Sequence, residues 1–333
     1  MSFKNVIIIG AGKTLYSLWP TICKGYNVVG ILDNNVSGQV YGYKVYTVDK
    51  IIDFNYDLVF ILPLNYMFEL RDQLLSLEVP ETKIIPFIGE NRNLKISDFY
   101  FEKDRCLFDN GYVKFELNTS SGNGGVKGIF FENLYNFMGI EDDTIVIDIG
   151  LNIGVSSIFF AAKANVKKVM GFEPLSRNFI MAKKNIELNI PEVKNKIEIY
   201  NFGLSNSNVN KRFSYSKKFP TTFSICGIES ESLEDELVDI RSAEEVLKPI
   251  LDQYANNRIV VKLDCEGAEY EIFESLDKAG MLNRIDMFMI EYHLYDNPIL
   301  EQYLNKNGFW YVKMNTTSYI GFIYAFNRNN GRV

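Results

Sequence analysis

The sequence predicts an α/β chain built from two parallel-sheet units in series. Short apolar runs of β-type residues alternate with helical patterns along most of the 333 residues, as parallel strands joined by crossover helices do. Two of these runs end in glycine-bearing turns, Gly10-Ala11-Gly12 and Gly150-Leu151-Asn152-Ile153-Gly154, each opening a helical stretch. The length also suits two cores better than one. At 47% hydrophobic and 23% charged, the composition is that of a folded globular protein.

The elements follow in order. In the first unit (residues 1–90), Val6 to Ile9 is a strand and Thr14 to Lys24 a helix that Pro20 should kink or end. Val28 to Leu32 is a strand ending at Asp33, Leu58 to Leu62 another, Met67 to Leu77 a helix and Lys83 to Phe87 a strand. That alternation makes a small Rossmann-like unit. In a connecting region (91–143), Asp109-Asn110-Gly111 predicts a hairpin, Ser120 to Gly125 a loop and Phe130 to Met138 a helix. The second unit (144–333) is again Rossmann-like. Its strands are expected at Thr144–Ile149, Lys168–Glu173, Ile197–Phe202, Ile259–Asp264 and Asp286–His293. Helices are expected from Val155 to Ala164, Ser176 to Asn189 and Glu269 to Ala279, with Asn297-Pro298 opening another as N-cap and N1. Phe309–Met314 and Tyr319–Phe326 follow without a helix between them and so form a terminal antiparallel hairpin. The stretch from Ser205 to about Gln253 is a long excursion suited to substrate contacts or a lid.

Charge and cysteine usage narrow the partners. A net charge of −7 disfavours a generic polyanion binder, so no nucleic-acid partner is expected. No run reaches the roughly 18–20 apolar residues of a membrane span. Cys23, Cys106, Cys226 and Cys265 are scattered without a Cys-x-x-Cys, which disfavours structural zinc and a disulfide framework. No signal-peptide pattern precedes the first strand, and the cytoplasm is the expected compartment.

The Val146–Gly154 stretch carries the most chemistry. It is not a phosphate loop, and Gly150 and Gly154 do not meet the dinucleotide glycine spacing. Asp148 in that turn would repel a pyrophosphate and would suit a cationic group. Glu173 ends the next strand, where a carboxylate can accept both hydroxyls of a ribose. S-adenosylmethionine, with an amino group, a sulfonium and no phosphate, fits both acids. Lys262, Asp264 and Glu266 lie at the end of the fourth strand and Glu291 and His293 at the end of the fifth, all at the same sheet edge. The single histidine of the chain would ordinarily be a structural residue; beside these acids it becomes a candidate general base. Asp264 or Glu266 is the second candidate. Glu269 reads as a residue that caps and solubilises the helix after the fourth strand, and Lys262 as a neutraliser of Asp264 or Glu291. A divalent metal is a further option, with Asp264, Glu266 and Glu291 as hard oxygen ligands.

Val146-Ile147-Asp148-Ile149-Gly150-Leu151-Asn152-Ile153-Gly154, Gly171-Phe172-Glu173-Pro174, the run Lys183 to Asn189, Lys262-Leu263-Asp264-Cys265-Glu266-Gly267-Ala268-Glu269 and Ile290-Glu291-Tyr292-His293 together resemble the FkbM-family methyltransferases. The resemblance implies a class I methyltransferase sheet and S-adenosylmethionine-dependent O-methylation, commonly of a sugar or polyketide hydroxyl. Carried over by position, Asp148, Gly150, Asn152 and Gly154 would line the amino-acid end of the cofactor, and Glu173 would hold its ribose. Pro174 and Gly203 are counted with that pocket. Leu151 stands where the family usually has alanine.

The first unit resembles the Rossmann-like N-terminal domains of some bacterial sugar-modifying enzymes. That implies a nucleotide-sugar site or a scaffold that builds a homo-oligomer. Leu15 stands where a third dinucleotide glycine would fall, which weakens an NAD site. Tyr46 and Lys50 have a dehydrogenase-like spacing but lie in an extended stretch, so the match is fortuitous. The expected activity is O-methylation of a small-molecule or glycan acceptor. An NAD-dependent sugar oxidoreductase and a non-catalytic nucleotide-sugar binding module stand as alternatives.

Overall fold

The computed structural model describes residues 3–90, 94–117, 126–136, 143–216, 233–293, 298–315 and 320–328. They form two compact units, Met1–Leu134 and Tyr135–Val333. Among the described residues no helix is long and apolar enough to cross a membrane.

The first unit holds strands β1 (Lys4–Ile9), β2 (Tyr26–Leu32), β3 (Gly38–Val40), β4 (Tyr43–Tyr46), β5 (Leu58–Ile61) and β6 (Ile84–Pro86), in sheet order β3-β4-β2-β1-β5-β6. All neighbours are parallel except β3 with β4. Val6 and Ile8 of β1 pack with Leu15, Leu18 and Ile22 of the helix Lys13–Gly25. That helix runs through Pro20, which the sequence had placed at a kink or end. Proline removes one backbone bond, but Pro20 is exposed, so the carbonyl it leaves faces water. The β3–β4 pair was not read from the sequence; only its extended character was. Three further strands, β7 (Phe99–Glu102), β8 (Arg105–Asp109) and β9 (Lys114–Leu117), form an antiparallel meander. The expected turn joins β8 to β9: Gly111 takes φ +82°, and Asn110 Oδ1 accepts the amides of Tyr112 and Val113. Over its described part, residues 130–136, the expected Phe130–Met138 helix gives way to a single π-turn, Lys127–Phe131, and residues 137–138 lie outside the described set. Asn133 adopts φ +57° and ends it. The Ser120–Gly125 loop lies outside the described residues.

The second unit is built on β10 (Thr144–Ile149), β11 (Val166–Phe172), β12 (Ile197–Tyr200), β13 (Gly203–Ser205), β14 (Val209–Ser216), β15 (Leu233–Ser242), β16 (Ile259–Leu263), β17 (Met287–Tyr292), β18 (Phe309–Asn315) and β19 (Gly321–Asn327). The main sheet runs β12-β11-β10-β16-β17-β19-β18. Its strands are parallel up to β17; β19 then inserts antiparallel between β17 and β18. β10 and β16 are buried along their whole lengths, which explains their unbroken apolar runs. The excursion after β12 folds as a second small sheet, β13-β15-β14, with residues 217–232 outside the described set. Pro298 occupies the N-cap of the helix Ile299–Lys306, one position earlier than expected, and Asn297 lies outside the described residues.

The chain order reverses between β10 and β16. From there β11 and β12 run one way and β16 and β17 the other, which opens a crevice at the strands' carboxyl ends. The site residues foreseen in this unit, Gly203 excepted, lie at the carboxyl ends of β10, β11, β16 and β17 or on the segments that follow them.

Candidate active site

The turn after β10 is shaped by two close approaches. Gly150 has φ +85°, and a Cβ there would overlap the carbonyl oxygen of Asp264. Only glycine lets the ends of β10 and β16 meet in this way. Gly154 has φ +87° and faces Ala182 of the helix Ser176–Glu187. Buried Asn185 of that helix donates to the Ile153 carbonyl at 2.9 Å and ties the turn down from below. Leu151, bulkier than the family's usual alanine, fits because Gly171 opposite it has no side chain to collide with.

Asp148 is fully buried. Its Oδ2 accepts the hydroxyls of Ser156 and Ser157 at 2.7 Å each, and Lys262 Nζ stands 3.0 Å from Oδ1. Lys262, also buried, donates to the Gly150 carbonyl at 2.7 Å and lies 3.7 Å from Asp264. Burial works against the Lys262 charge, but Asp148 and Asp264 outweigh it and hold the ammonium above its ordinary range. The lysine therefore neutralises Asp148 as well as Asp264, the first at the shorter distance. Asp148 shapes the turn from beneath, its Oδ2 taken by the two serines and its buried Oδ1 ion-paired to Lys262 without a hydrogen bond among the described residues.

Glu173, at the end of β11, accepts the Asn152 amide on Oε2 at 2.9 Å and the Leu175 amide on Oε1 at 3.0 Å. Burial lifts its carboxyl to about 7 against the pull of these bonds. The buried Asn178 side chain hydrogen-bonds the same carboxylate, so about one of its four acceptor positions is left for a further donor. Asn152, at φ +53°, has its Oδ1 buried without a hydrogen-bond partner. An acidic acceptor pair beside an orphaned buried carbonyl fits a ligand with vicinal hydroxyls and an amine, the polar groups of S-adenosylmethionine. Pro174 follows Glu173 directly, and a Cβ on Gly203 would crowd Pro174 and Ile240. Gly203 thus permits packing of β13 against this segment.

Across the crevice, His293 follows β17. Its Nδ1 lies 3.1 Å from Glu269 Oε1, and its Nε2 faces Glu266 Oε2 at 3.7 Å, Asp264 Oδ1 at 3.9 Å and Glu291 Oε1 at 4.0 Å. Burial opposes an imidazolium, yet Glu269 and the neighbouring acids raise His293 to about 9. Burial lifts Glu266 to about 7 and Glu291 to about 8, with the facing acids adding to it. Tyr135 belongs to the same neighbourhood: burial, then the charges of Asp264, Glu291 and Asp148, push its hydroxyl well up.

Glu269 takes up backbone amides at the start of its helix, as a capping residue does, but not from the solvent-facing position expected of it. It is fully buried and does not solubilise its helix. Its carboxylate accepts the amides of Cys265 at 2.9 Å and Gly267 at 2.8 Å while it holds the imidazole. It fixes the loop that carries Asp264 and Glu266 and orients His293 at once. In the first unit, the Asp33 carboxylate is taken up by the amides of Ala11, Asn35 and Val36. Leu15 is core, and Pro63 fills the space that Gly10 leaves. Tyr46 lies on β4 and Lys50 on a separate helical turn.

The strand order, the terminal antiparallel pair and the glycine turn at the reversal point define a class I methyltransferase fold. Residues 148–311 match the methyltransferase FkbM domain, so the second unit belongs to the FkbM methyltransferase family. Residues 2–85 match a different model, C2185-like, N-terminal. Methyltransferase sdnD of Sordaria araneosa is 24% identical over 177 residues, which cover 46% of this chain and 68% of that protein. Methyltransferase 1 of Beauveria bassiana is 22% identical over 199 residues, covering 55% and 74%. The AMB antimetabolite synthetase AmbE of Pseudomonas aeruginosa is 25% identical over 211 residues, 53% of this chain, and the match spans only 10% of AmbE. A solved methyltransferase FkbM from Methylobacillus flagellatus aligns over 98% of this chain and 90% of its own, with 13% identity and a TM-score of 0.40.

Proposed function

We propose that the chain is an S-adenosylmethionine-dependent O-methyltransferase acting on a hydroxyl of a sugar, in the cytoplasmic assembly of a surface glycan or related product. The observation that carries this reading is the pairing of two sites on one crevice. Glu173 and Asn152 present acceptors for the ribose and amine of the donor, and the acids around His293 stand across from them.

In the reaction, the acceptor oxygen attacks the methyl carbon in line with the sulfonium. The C–O bond forms as the C–S bond breaks, and its electron pair returns to sulfur. The hydroxyl proton passes to a carboxylate of the Asp264, Glu266 and Glu291 group. Glu173, Asn152, Gly150 and Gly154 hold the donor, and orientation supplies much of the acceleration. A hydroxyl acceptor suits a crevice whose far wall is acidic and able to receive protons.

The first unit is assigned to acceptor positioning or to self-association. Its saturated Asp33, core Leu15 and occupied Gly10 notch argue against a dinucleotide there and so against the oxidoreductase alternative.

Incubation with methyl-labelled S-adenosylmethionine and a panel of free and nucleotide-linked sugars tests the reading. Label on a sugar oxygen, with release of S-adenosylhomocysteine, supports it. Label found only on a nitrogen-bearing acceptor, or no turnover across the panel, counts against it.

A further inference from the structure

We propose that Asp264, Glu266 and His293 form a binding site for a divalent metal cation at the mouth of the crevice. The candidate ligand atoms of these three residues all lie within 4.8 Å of one another. His293 Nε2 is 3.9 Å from Asp264 Oδ1 and 3.7 Å from Glu266 Oε2. Both separations fall under the roughly 4.4 Å that two bonds of about 2.2 Å to one ion can span. The carboxylates are half-buried on side chains free to close the remaining gap.

His293 supplies the independent sign. Its side chain is more than nine-tenths buried, and among the described residues its Nε2 makes no hydrogen bond while facing three carboxylates at 3.7–4.0 Å. The other ring nitrogen is held by fully buried Glu269, which is itself anchored by two backbone amides. Metal-ligating histidines are oriented in this way, with the far nitrogen bound to a carboxylate and the near one turned to the ion. The charges point the same way. Asp264, Glu266, Glu269 and Glu291 surround one imidazole, and Lys262 divides its single charge between Asp148 at 3.0 Å and Asp264 at 3.7 Å. A surplus of half-buried carboxylates is costly unless a cation joins them. A bound ion would stand beside Nε2, with Glu291 Oε1, 4.0 Å from that nitrogen, close by as a further oxygen.

Two carboxylate oxygens with one imidazole suit Mn²⁺ among the common divalent ions. Three protein ligands would leave coordination positions for oxygen atoms of the acceptor, so the ion would fix a hydroxyl and lower its pKa. The assignment of that role rests on the methyl-transfer reading; the binding itself does not.

The test is titration of the full chain, without S-adenosylmethionine, with Mn²⁺, followed by the paramagnetic resonance signal of the free ion. The wild type should take up one Mn²⁺ per chain. Glu266→Gln and His293→Gln should weaken binding by about 100-fold or more, and Glu269→Gln by about 10–100-fold through lost orientation. Glu266 is partly exposed, so Glu266→Gln should melt as the wild type does. Absence of Mn²⁺ uptake at millimolar ion, or uptake unchanged in both Glu266→Gln and His293→Gln, overturns the proposal. S-adenosylhomocysteine is titrated in parallel to separate the two readings. Its binding without Mn²⁺ uptake removes the metal site and leaves methyl transfer standing. Mn²⁺ uptake that the variants abolish, without S-adenosylhomocysteine binding, keeps the metal site and removes the methyl-transfer reading.

Discussion

Replacing Lys262 by methionine should destabilise the second unit severely. Methionine keeps most of the lysine's length and apolar stem and removes only the ammonium. Lys262 is 2% exposed and Asp148 not at all. With the ammonium gone, Asp148 keeps the Ser156 and Ser157 hydroxyls but loses its countercharge, and the Gly150 carbonyl loses a donor. Stranding one partner of a buried ion pair costs about 3–5 kcal/mol. Asp148→Asn should cost less, because Lys262 retains the Gly150 carbonyl at 2.7 Å and Asp264 at 3.7 Å. The double variant, with no buried charge left unpaired, should recover roughly 1–3 kcal/mol of the summed cost. Scanning calorimetry suits the measurement, since two units need not melt as one. For a unit of this size each kcal/mol moves the midpoint by about 2–4 °C. A loss below about 1 kcal/mol for Lys262→Met, or single costs that simply add in the double variant, would refute the coupling.

Three further outcomes are expected. Gly150→Ala should cost more than about 2 kcal/mol and abolish S-adenosylhomocysteine binding, because the new Cβ meets the Asp264 carbonyl at a positive φ; calorimetric melting with a ligand titration checks it. Leu151→Ala should cost about 2–5 kcal/mol by emptying the space above Gly171, read as a lower melting midpoint for the second unit despite the family's usual alanine. Glu173, held near 7 by burial, makes its stabilising contribution fully below its unfolded value of 4.5 and loses it as pH rises through about 7. The ionised form is the better acceptor for ribose hydroxyls. Affinity for S-adenosylhomocysteine should therefore climb up to tenfold per pH unit below about 7 and level off above, with Glu173→Gln flattening the profile.

The second unit's sheet was legible because β10, β11, β16 and β17 are buried strands that read as plain apolar runs ending in acids or glycines. The first unit's β3 and β4 were not. They are short and rich in glycine and tyrosine, and their pairing is fixed only by β2 beside β4. Asp148 stood out in the sequence, but its tie to Lys262 comes only from the adjacency of β10 and β16. The burial of Glu269 escaped notice for a related reason. A glutamate in a first helical turn ordinarily faces water, and nothing local reveals that the loop 265–268 folds back onto it. His293 was found by its position at a strand end, whereas its charge state depends on four carboxylates that three separate segments bring together.

Calorimetric titration of S-adenosylhomocysteine into the wild type and Glu173→Ala bears most directly on the central claim. The account predicts micromolar binding to the wild type and its loss in the variant, with the fold intact by circular dichroism. Failure of the wild type to bind, or equal affinity in the variant, would contradict it.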